Sequence, residues 1–145
     1  MERPGGPQNV FGIDVGGSGI KGGIVDLAIG ELITERHRIP TPHPATPKAV
    51  TAVTRELVDY FNWEGPVGVA IPSIVRHGVV HSAANVDKSW MGENAVKRFT
   101  KVLERPVRVL NDADAAGLAE MHYGRAGDYS KGVAILLTLG TGIGS

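Results

Sequence analysis

Residues 10–26 read VFGIDVGGSGIKGGIVD, two apolar runs separated by a glycine-rich turn. Residues 10–15 and 20–26 are both rich in β-branched side chains, which favour strands, and the short turn at residues 16–19 predicts that the two strands pair antiparallel. Gly22 and Gly23 lie inside the second strand, where they make a helix unfavourable. The stretch therefore predicts a β-hairpin near the start of the domain.

The turn also resembles two phosphate-binding motifs without matching either. Residues 17–22 fit the dinucleotide-binding pattern G-x-G-x-x-G, but that pattern must open a helix, and here it opens a strand. The P-loop spacing G-x-x-x-x-G-K-[ST] does not occur. Both of these motifs are therefore excluded.

What remains is an acid, Asp14, at the end of a strand, followed by a turn that can bring backbone N–H groups close to an anion. Asp14 could hold Mg²⁺ through water. A plain tight hairpin with a solvated carboxylate is the open alternative. The predicted phosphate-binding residues are Asp14, Gly16, Gly17, Ser18, Gly19 and Lys21.

The rest of the chain predicts an α/β domain with a mixed sheet. A third strand over residues 32–39 would complete a three-strand antiparallel meander, and helices and strands then alternate. Predicted helices cover residues 47–61, 94–103 and 112–123, and predicted strands cover residues 67–71, 107–110 and 133–139, with a small hairpin at residues 74–82. The strand ends converge on the loops at Gly16, Pro72, Asn111 and Gly140.

Composition limits the possible functions. The chain has 145 residues, 20 of them Gly, no Cys, and 15 basic residues balanced by 15 acidic ones. This length suits one domain, and the missing cysteines exclude disulfides, Cys-ligated zinc and thiol catalysis. Balanced charge and the lack of a long apolar run argue against a nucleic-acid or membrane partner, so a cytoplasmic protein is expected. The polar residues 1–9 are expected to be disordered, and residues 10–145 to form the domain.

A second polar motif lies where a strand is predicted to lead into a helix. Asp112 would sit at the carboxyl end of the strand, where open α/β sheets bind ligands, and could accept the proton of a substrate hydroxyl. Asn111 could hydrogen-bond a neighbouring hydroxyl. Capping of the helix is the alternative role of an acid here. It is the preferred role for Asp114, and for Asp112 both roles stay open.

Two further segments could belong to a site. Gly140, Thr141 and Gly142 follow a predicted buried strand and repeat the glycine turn with a hydroxyl, so a phosphate chain could lie between two hairpins. Residues 83–90 form a polar loop ending in Trp90, which suits a sugar site with an aromatic wall or an ordinary loop anchored by its tryptophan.

The remaining charged residues are less specific. The five histidines have no metal-ligand spacing. A basic cluster is most simply the solvated face of a helix, with a polyanion track as the sharper alternative. Its members are Lys97, Arg98, Lys101, Arg105 and Arg108, opposed by Glu104.

Together the acid-glycine hairpin, the Asn-Asp pair and the Gly-Thr-Gly turn resemble the ROK family of sugar kinases, which has the actin-like ATPase (ribonuclease H-like) fold. Residues 12–27, 83–90, 110–120 and 140–145 carry the resemblance, and within that family they are similar to the polyphosphate-dependent glucokinases. It implies phosphoryl transfer from inorganic polyphosphate, and also from ATP, to the 6-hydroxyl of glucose. An ATP-only hexose kinase and, at lower rank, a sugar-responsive ROK repressor are the alternatives.

The resemblance also implies roles for single residues. Asp112 would be the catalytic base, Asp14 would organise Mg²⁺, and the two glycine hairpins would flank the transferred phosphoryl group. Asn111, Asn85, Asp87 and Ser73 would contact the sugar, although Ser73 stands where the family pattern has Gly. The family's remaining ligands and its second domain lie after the Gly-Thr-Gly turn. The chain is therefore expected to be the N-terminal half of a kinase that is a homodimer when complete.

Overall fold

A computed structural model of the chain describes residues 8–124 and the backbone of residues 138–139 and 143–144. The strands are β1 (Asn9–Val15), β2 (Gly19–Asp26), β3 (Glu31–Leu32), β4 (His37–Pro40), β5 (Val67–Ile71), β6 (Val75–Arg76), β7 (Val79–Val80), β8 (Val107–Asn111), β9 (Thr138–Leu139) and β10 (Ile143–Gly144). The helices are α1 (Pro47–Tyr60), α2 (Ala95–Leu103) and α3 (Asp112–Tyr123).

The main sheet has the strand order β3-β2-β1-β5-β8, and β4 also pairs with β2. β2 is antiparallel to β1, β3 and β4, whereas β1, β5 and β8 are mutually parallel. The sheet is therefore mixed, as predicted. The carboxyl ends of the three parallel strands lie at one edge, so the residues at these ends can form one site.

The predicted meander is confirmed, but its third strand is split. The continuous strand expected over residues 32–39 is wrong, because residues 33–36 leave the ladder between β3 and β4. There the Ile24 N–H donates to Thr34 Oγ1 at 3.0 Å, and the Ile33 N–H donates to the Ile24 carbonyl at 2.9 Å. A side chain thus replaces a backbone acceptor, and the chain bulges before β4 rejoins β2.

One face of the sheet, which we call the core face, is covered by α1 and α2. Its strand residues alternate with residues of the opposite face, as a pleated sheet requires. Helix α1 begins at Pro47 as predicted, where Thr46 Oγ1 accepts from the Ala49 N–H at 3.2 Å. Helix α2 begins one residue later than predicted, because Asn94 is its cap and its Oδ1 accepts from the Lys97 N–H at 2.9 Å. The main core residues are fully buried and include Phe11, Val15, Ile20, Val50, Leu57, Val67, Phe99 and Leu103.

The opposite face, which we call the site face, is more open. It displays Gly12 and Asp14 of β1, Gly68 and Ala70 of β5, and Leu110 of β8. Helix α3 contacts β5 and β8, yet none of its residues is buried. Its C-terminal end is held by Tyr123, whose hydroxyl donates to the Leu27 carbonyl at 2.7 Å.

The connection between β5 and α2 also follows the prediction, with one addition. β6 and β7 form a hairpin whose turn residues, His77 and Gly78, both have positive φ angles of 50° and 80°. This is the backbone of a two-residue hairpin turn, in which glycine is favoured. In the loop that follows, Lys88–Trp90 forms a short 3₁₀ helix that the sequence did not predict.

Near the end of the chain, β9 and β10 pair antiparallel, with Leu139 opposite Ile143 and Thr138 opposite Gly144. This pairing agrees with a second hairpin. Most of the strand predicted over residues 133–139 lies outside the described residues. Within the described part of the chain, no helix is both long enough and apolar enough to cross a membrane.

Candidate functional site

The glycine turn between β1 and β2 is closed by a backbone hydrogen bond and bound by two side chains of the β4 segment. The Gly16 N–H donates to the Gly19 carbonyl at 3.0 Å. Two side chains from the β4 segment fasten the turn: the Thr41 hydroxyl donates to the Gly16 carbonyl at 2.6 Å, and Arg38 donates to the Ser18 carbonyl, also at 2.6 Å. Because these carbonyls are occupied, the turn has a defined shape.

Two of the turn's glycines have close neighbours, but only Gly16 is pressed against backbone. A Cβ on Gly16 would lie 2.8 Å from the Gly19 carbonyl oxygen, and a Cβ on Gly19 would meet the guanidinium of Arg38, which is a flexible side chain. A Cβ on Gly17 would meet nothing within 4 Å. Gly16 and Gly19 therefore serve the geometry of the turn, whereas Gly17 faces open space and leaves the backbone accessible.

Asp14 lies one residue before the end of β1, with Lys21 of β2 on one side and Ala70 of β5 on the other. Its side chain is exposed toward a pocket, but the surrounding strands and helix displace part of its hydration water. This partial burial raises the pKa of Asp14, and the nearby Asp112 carboxylate raises it further. Lys21 and Arg36 lower the pKa of Asp14 and so partly compensate.

Asn111 ends β8 and is the N-cap of α3. Its Oδ1 accepts from the Ala113 and Asp114 N–H groups at 3.0 and 3.2 Å. The cap role preferred for Asp114 is therefore wrong, because the residue one position before the helix supplies the cap. Asp112, the first residue of α3, is exposed, and its Oδ1 accepts from the Ala113 N–H at 2.8 Å.

Asp14 and Asp112 face each other across one pocket of about 400 Å³, which is also lined by Ala70, Ala113 and Ala116. The alanines leave space between the two acids. The structure thus brings together an acid from the glycine hairpin and an acid from the Asn-Asp motif, which are 98 residues apart in sequence.

The residues predicted to contact the sugar do not all lie beside Asp112. Ser73 follows β5 and is 2% exposed, and its carbonyl accepts from Asn111 Nδ2 at 3.0 Å. The Ser73 hydroxyl has no hydrogen-bond partner among the described residues. The buried Ser73 and the half-buried Asn111 therefore form a hydrogen-bonded pair directly before Asp112.

Asn85 and Asp87 lie in the loop before α2 and do not line the pocket of Asp14 and Asp112. Asn85 is exposed. Asp87 caps the 3₁₀ helix through Ser89, and these hydrogen bonds lower the pKa of Asp87. Trp90 is 1% exposed, packs on Phe99 and donates to the Ala45 carbonyl at 2.9 Å. Trp90 is thus a core anchor of the loop, and the aromatic-wall alternative is wrong.

The second glycine turn cannot be placed beside the first. Gly140, Thr141 and Gly142 lie outside the described residues, so their phosphate-binding role stays a prediction. The flanking ladder of β9 and β10 is the part that the structure describes.

The donor set fits a magnesium ion bound largely through water. Within residues 8–124, no three acidic or histidine side chains cluster as a complete metal cage. Mg²⁺ commonly uses one or two carboxylates together with water and substrate phosphates, and Asp14 and Asp112 in one pocket supply such carboxylates.

The predicted basic cluster is divided by the sheet. Arg98 is paired with Glu93 at 2.7 Å, and Arg105 donates to the Trp63 carbonyl at 3.3 Å. Glu104 pairs with Arg55 at 3.0 Å and not with a member of the cluster. Arg108 alternates with buried Val107 and Val109 and therefore points to the site face, away from α2. A continuous track through all five residues is excluded by this arrangement.

Sequence reasoning missed Thr41 and Arg38, which fasten the glycine turn. A signal was available: the predicted meander places the end of the third strand beside the start of the second. A hydroxyl or guanidinium at the end of that strand is then within reach of the turn. Without the register, the sequence does not say which side chain reaches it.

Comparison with known proteins gives consistent matches. The sequence model of the ROK family matches residues 10–145. The polyphosphate glucokinase of Mycobacterium tuberculosis is 60% identical over 136 residues, which are 93% of this chain and 51% of that protein. The chain thus spans about half the length of the curated relatives it matches.

Solved structures agree with the fold. An inorganic polyphosphate/ATP-glucomannokinase from Arthrobacter is similar with a TM-score of 0.87 and 53% identity, covering 95% of this chain and 57% of that one. A ROK family glucokinase from Streptomyces griseus, solved with glucose and AMPPNP, has a TM-score of 0.75 and 29% identity, covering 94% of this chain and 43% of that one. The expected actin-like ATPase fold of the sugar kinases is thereby confirmed.

Proposed function

The chain belongs to the ROK family, and we propose that it is the N-terminal half of a kinase that phosphorylates glucose. The phosphoryl donor is inorganic polyphosphate or ATP, and the acceptor is the 6-hydroxyl of the sugar. The observation that carries the proposal is the pocket in which Asp14 and Asp112 face each other at the end of the sheet that also holds the glycine turn. The similarity to polyphosphate glucokinases supports the choice of substrates.

Asp112 is the catalytic base in this proposal. It accepts the proton of the glucose hydroxyl, and its exposure to the pocket leaves it open to a substrate. Phosphoryl transfer proceeds through a loose transition state, so correct positioning of the hydroxyl matters more than early proton removal. A base can contribute about 10²- to 10⁴-fold to such a step.

Asn111 and Ser73 position this base and the sugar. The Asn111 amide caps α3 and binds the Ser73 carbonyl, which fixes the start of the helix that carries Asp112. An amide has two N–H groups, so Asn111 keeps one for a sugar hydroxyl. Asn85 and Asp87 lie outside the pocket of Asp14 and Asp112. They would contact the sugar from the loop before α2.

The glycine turn binds the phosphoryl group being transferred. Gly17 and Ser18 are exposed, and their backbone is held in place by Thr41 and Arg38. Lys21 adds a positive charge beside Asp14. Gly140, Thr141 and Gly142 would supply the second turn, on the other side of the phosphate chain.

Asp14, together with the donor phosphates, would hold Mg²⁺ through water. The ion would neutralise charge on the phosphates as the bond to the leaving group breaks. It would also favour the ionised form of Asp14, whose pKa is raised by partial burial and by Asp112.

The complete protein is expected to be a cytoplasmic homodimer with a second domain. The 145-residue chain alone is expected to have little activity, because it spans about half the length of the polyphosphate glucokinase to which it is similar. A turnover number for the isolated chain close to that of the complete protein would contradict the expectation of low activity.

The function is tested by incubating the complete protein and glucose with polyphosphate or with ATP, and measuring glucose 6-phosphate. Product is expected with both donors, and 6-deoxyglucose, which lacks the acceptor hydroxyl, is expected to remain unmodified. Chelation of Mg²⁺ should stop both reactions. Activity with ATP alone would instead identify an ATP-only hexose kinase, and no product with either donor would reject the proposal.

A further inference from the structure

Three cations lie on the site face, and one of them contacts the glycine turn. They are Lys21 of β2, Arg36 in the bulge before β4, and Arg38 of β4, and we call them the basic row. Lys21 is the register partner of Asp14 on one side and of Arg38 on the other. Arg36 joins the row because it lines a cavity of about 310 Å³ together with Lys21 and Asp14.

The positive charges of the basic row repel one another and form no ion pairs with the described residues. Lys21 and Arg38 are directly opposite on antiparallel strands, a placement in which like charges are destabilising. Within residues 8–124, none of the three has a carboxylate within ion-pair distance. Asp14 is farther away, and Lys21 and Arg36 act on it only by lowering its pKa. A bound anion with several negative charges would relieve this repulsion.

Arg38 connects the row to the phosphate turn. One of its N–H groups donates to the Ser18 carbonyl at 2.6 Å, and its guanidinium lies against Gly19. A guanidinium has five N–H donors, so this contact uses only a part of its capacity. The same side chain can therefore shape the turn and contact a neighbouring phosphate, for which its planar fork is suited.

We propose that the basic row binds the phosphates of a linear polyphosphate donor that lie beyond the one being transferred. This inference rests on the proposed function. A polyphosphate chain carries a negative charge on every unit, so it can engage the turn and the row at once. ATP has only three phosphates, and beyond them is a nucleoside, which gains nothing from three clustered cations. The basic row would thus favour polyphosphate over ATP.

The cluster on α2 is a weaker candidate for this path. Lys97 and Lys101 are exposed on a helix that packs on the core face, while the glycine turn's Asp14 and Lys21 point to the site face. Arg98 is already neutralised by Glu93. A polyanion bound at Asp14 would have to pass around the sheet to reach α2.

The test is the double substitution Arg36→Gln with Arg38→Gln in the complete protein. We expect the KM for long-chain polyphosphate to rise about tenfold, since two charge-assisted contacts are lost. Its dependence on salt concentration should weaken, and the KM for ATP should rise less than the KM for polyphosphate, because loss of Arg38 loosens the turn that both donors use but the row itself contacts only polyphosphate. Lys97→Gln with Lys101→Gln removes the same charge from α2 and is expected to keep the affinity for polyphosphate.

Two further variants separate charge from folding. Arg38→Lys keeps the charge but loses the fork, so polyphosphate affinity should fall less than in the double variant. Arg36→Gln alone changes a side chain that makes no hydrogen bond among the described residues, and it should still weaken polyphosphate binding. An equal rise in KM for ATP and polyphosphate, an unchanged KM for polyphosphate, or an equal loss in the α2 variant would each overturn the assignment.

Direct binding of labelled polyphosphate, measured without glucose, separates this inference from the proposed function. If the wild-type protein binds polyphosphate, loses binding in the double variant and forms no glucose 6-phosphate, the basic row stands and the proposed reaction fails. If glucose is phosphorylated from polyphosphate but binding is the same in both proteins, the reaction stands and the basic row is wrong.

Discussion

The two faces of the sheet differ in what their residues do. On the core face, α1 and α2 cover a continuous set of large apolar side chains, with Phe11, Phe99 and Leu103 fully buried. On the site face, the same strands present glycine, alanine and charged residues, and α3 has no buried residue. Successive residues of one strand therefore serve different ends: Ile13 packs in the core, and Asp14 faces the pocket.

This difference separates stability from chemistry. Small residues on the site face give up packing area but leave space for a ligand, and charges there repel one another when no ligand is bound. Burial of apolar side chains on the core face supplies the hydrophobic free energy that offsets these costs. Substitutions on the site face should consequently change activity far more than stability, and substitutions on the core face should do the reverse.

The largest effect is expected for Asp112→Asn. Loss of the proposed base should lower kcat by about 10³-fold, within the range that general bases contribute, while glucose still binds. The melting temperature should hardly change, because Asp112 is exposed. Steady-state kinetics and calorimetric binding of glucose measure the two quantities. Asp114→Asn, in the same helical turn, is the matched control and should keep most of its turnover; near-normal turnover in Asp112→Asn would reject the role.

The core face should respond in the opposite sense to Phe99→Ala. Phe99 is fully buried and stacks on Trp90 with ring centroids 5.9 Å apart, so its removal leaves a cavity. We expect a loss of about 3–5 kcal/mol in the free energy of unfolding, measured by urea denaturation, with activity retained in the folded fraction. Thr100→Ala on the exposed side of the same helix should cost less than about 1 kcal/mol, and an equal loss in both variants would contradict the assignment of this face.

A change of intermediate size is expected for Gly16→Ala. The new Cβ would meet the Gly19 carbonyl oxygen at 2.8 Å, so the turn must open, and backbone atoms cannot move aside as a flexible side chain can. The kcat/KM for the phosphoryl donor should fall about 10- to 100-fold, because a misplaced turn no longer aligns the phosphate. Gly17→Ala, which meets nothing within 4 Å, is the control. Equal kinetics in the two variants would show that the shape of the turn does not matter.

The smallest change in stability is a pH-dependent gain for Asp14→Asn. The pKa of Asp14 is raised in the folded state, so ionisation of this carboxyl opposes folding. The protonated carboxyl favours the folded state at a pH below its ordinary pKa near 3.8. This contribution to stability is lost as the pH rises through the raised pKa. The variant should therefore melt slightly higher at pH 7, by about 1 °C or less because solvent screens the exposed Asp14 carboxylate, and this gain should vanish near pH 3.

Asp14→Asn should at the same time lose Mg²⁺-dependent activity, since the carboxylate is the proposed ligand of the ion's water shell. Scanning calorimetry at the two pH values tests the stability difference. Glu56→Gln, on the exposed side of α1, controls for the removal of one negative charge. A melting temperature that falls at pH 7 would contradict the raised pKa of Asp14.

Much of the fold could be predicted from local patterns. The hairpin at residues 10–26, the caps at Thr46 and Asn94, and the turn at His77 and Gly78 depend on neighbouring residues, so their signals are contained in short segments. The split of the third strand was not predictable in this way. It depends on Thr34 replacing a backbone acceptor for Ile24, a contact set by the register of two strands.

The candidate site was predicted only in its parts. Asp14, Asn111 and Asp112 stand at predicted strand ends, so their chemistry and approximate position follow from the residue types. The cap of α3 was assigned to Asp114 because residue type alone does not locate the first helical residue to within one or two positions, and Asn111 takes that role. Trp90 was ambiguous because its burial depends on α2 and on the Ala45 carbonyl.

The sequence by itself determined the class of fold, the glycine turn and the identity of the two facing acids, because each follows from short-range patterns in the chain. Only the tertiary structure decided which charges act together. Sheet register places Lys21 between Asp14 and Arg38, and the pleat sends Arg108 to the opposite side from α2. These relations join residues distant in sequence, and a side chain's partners in a sheet change completely when the register shifts by one residue.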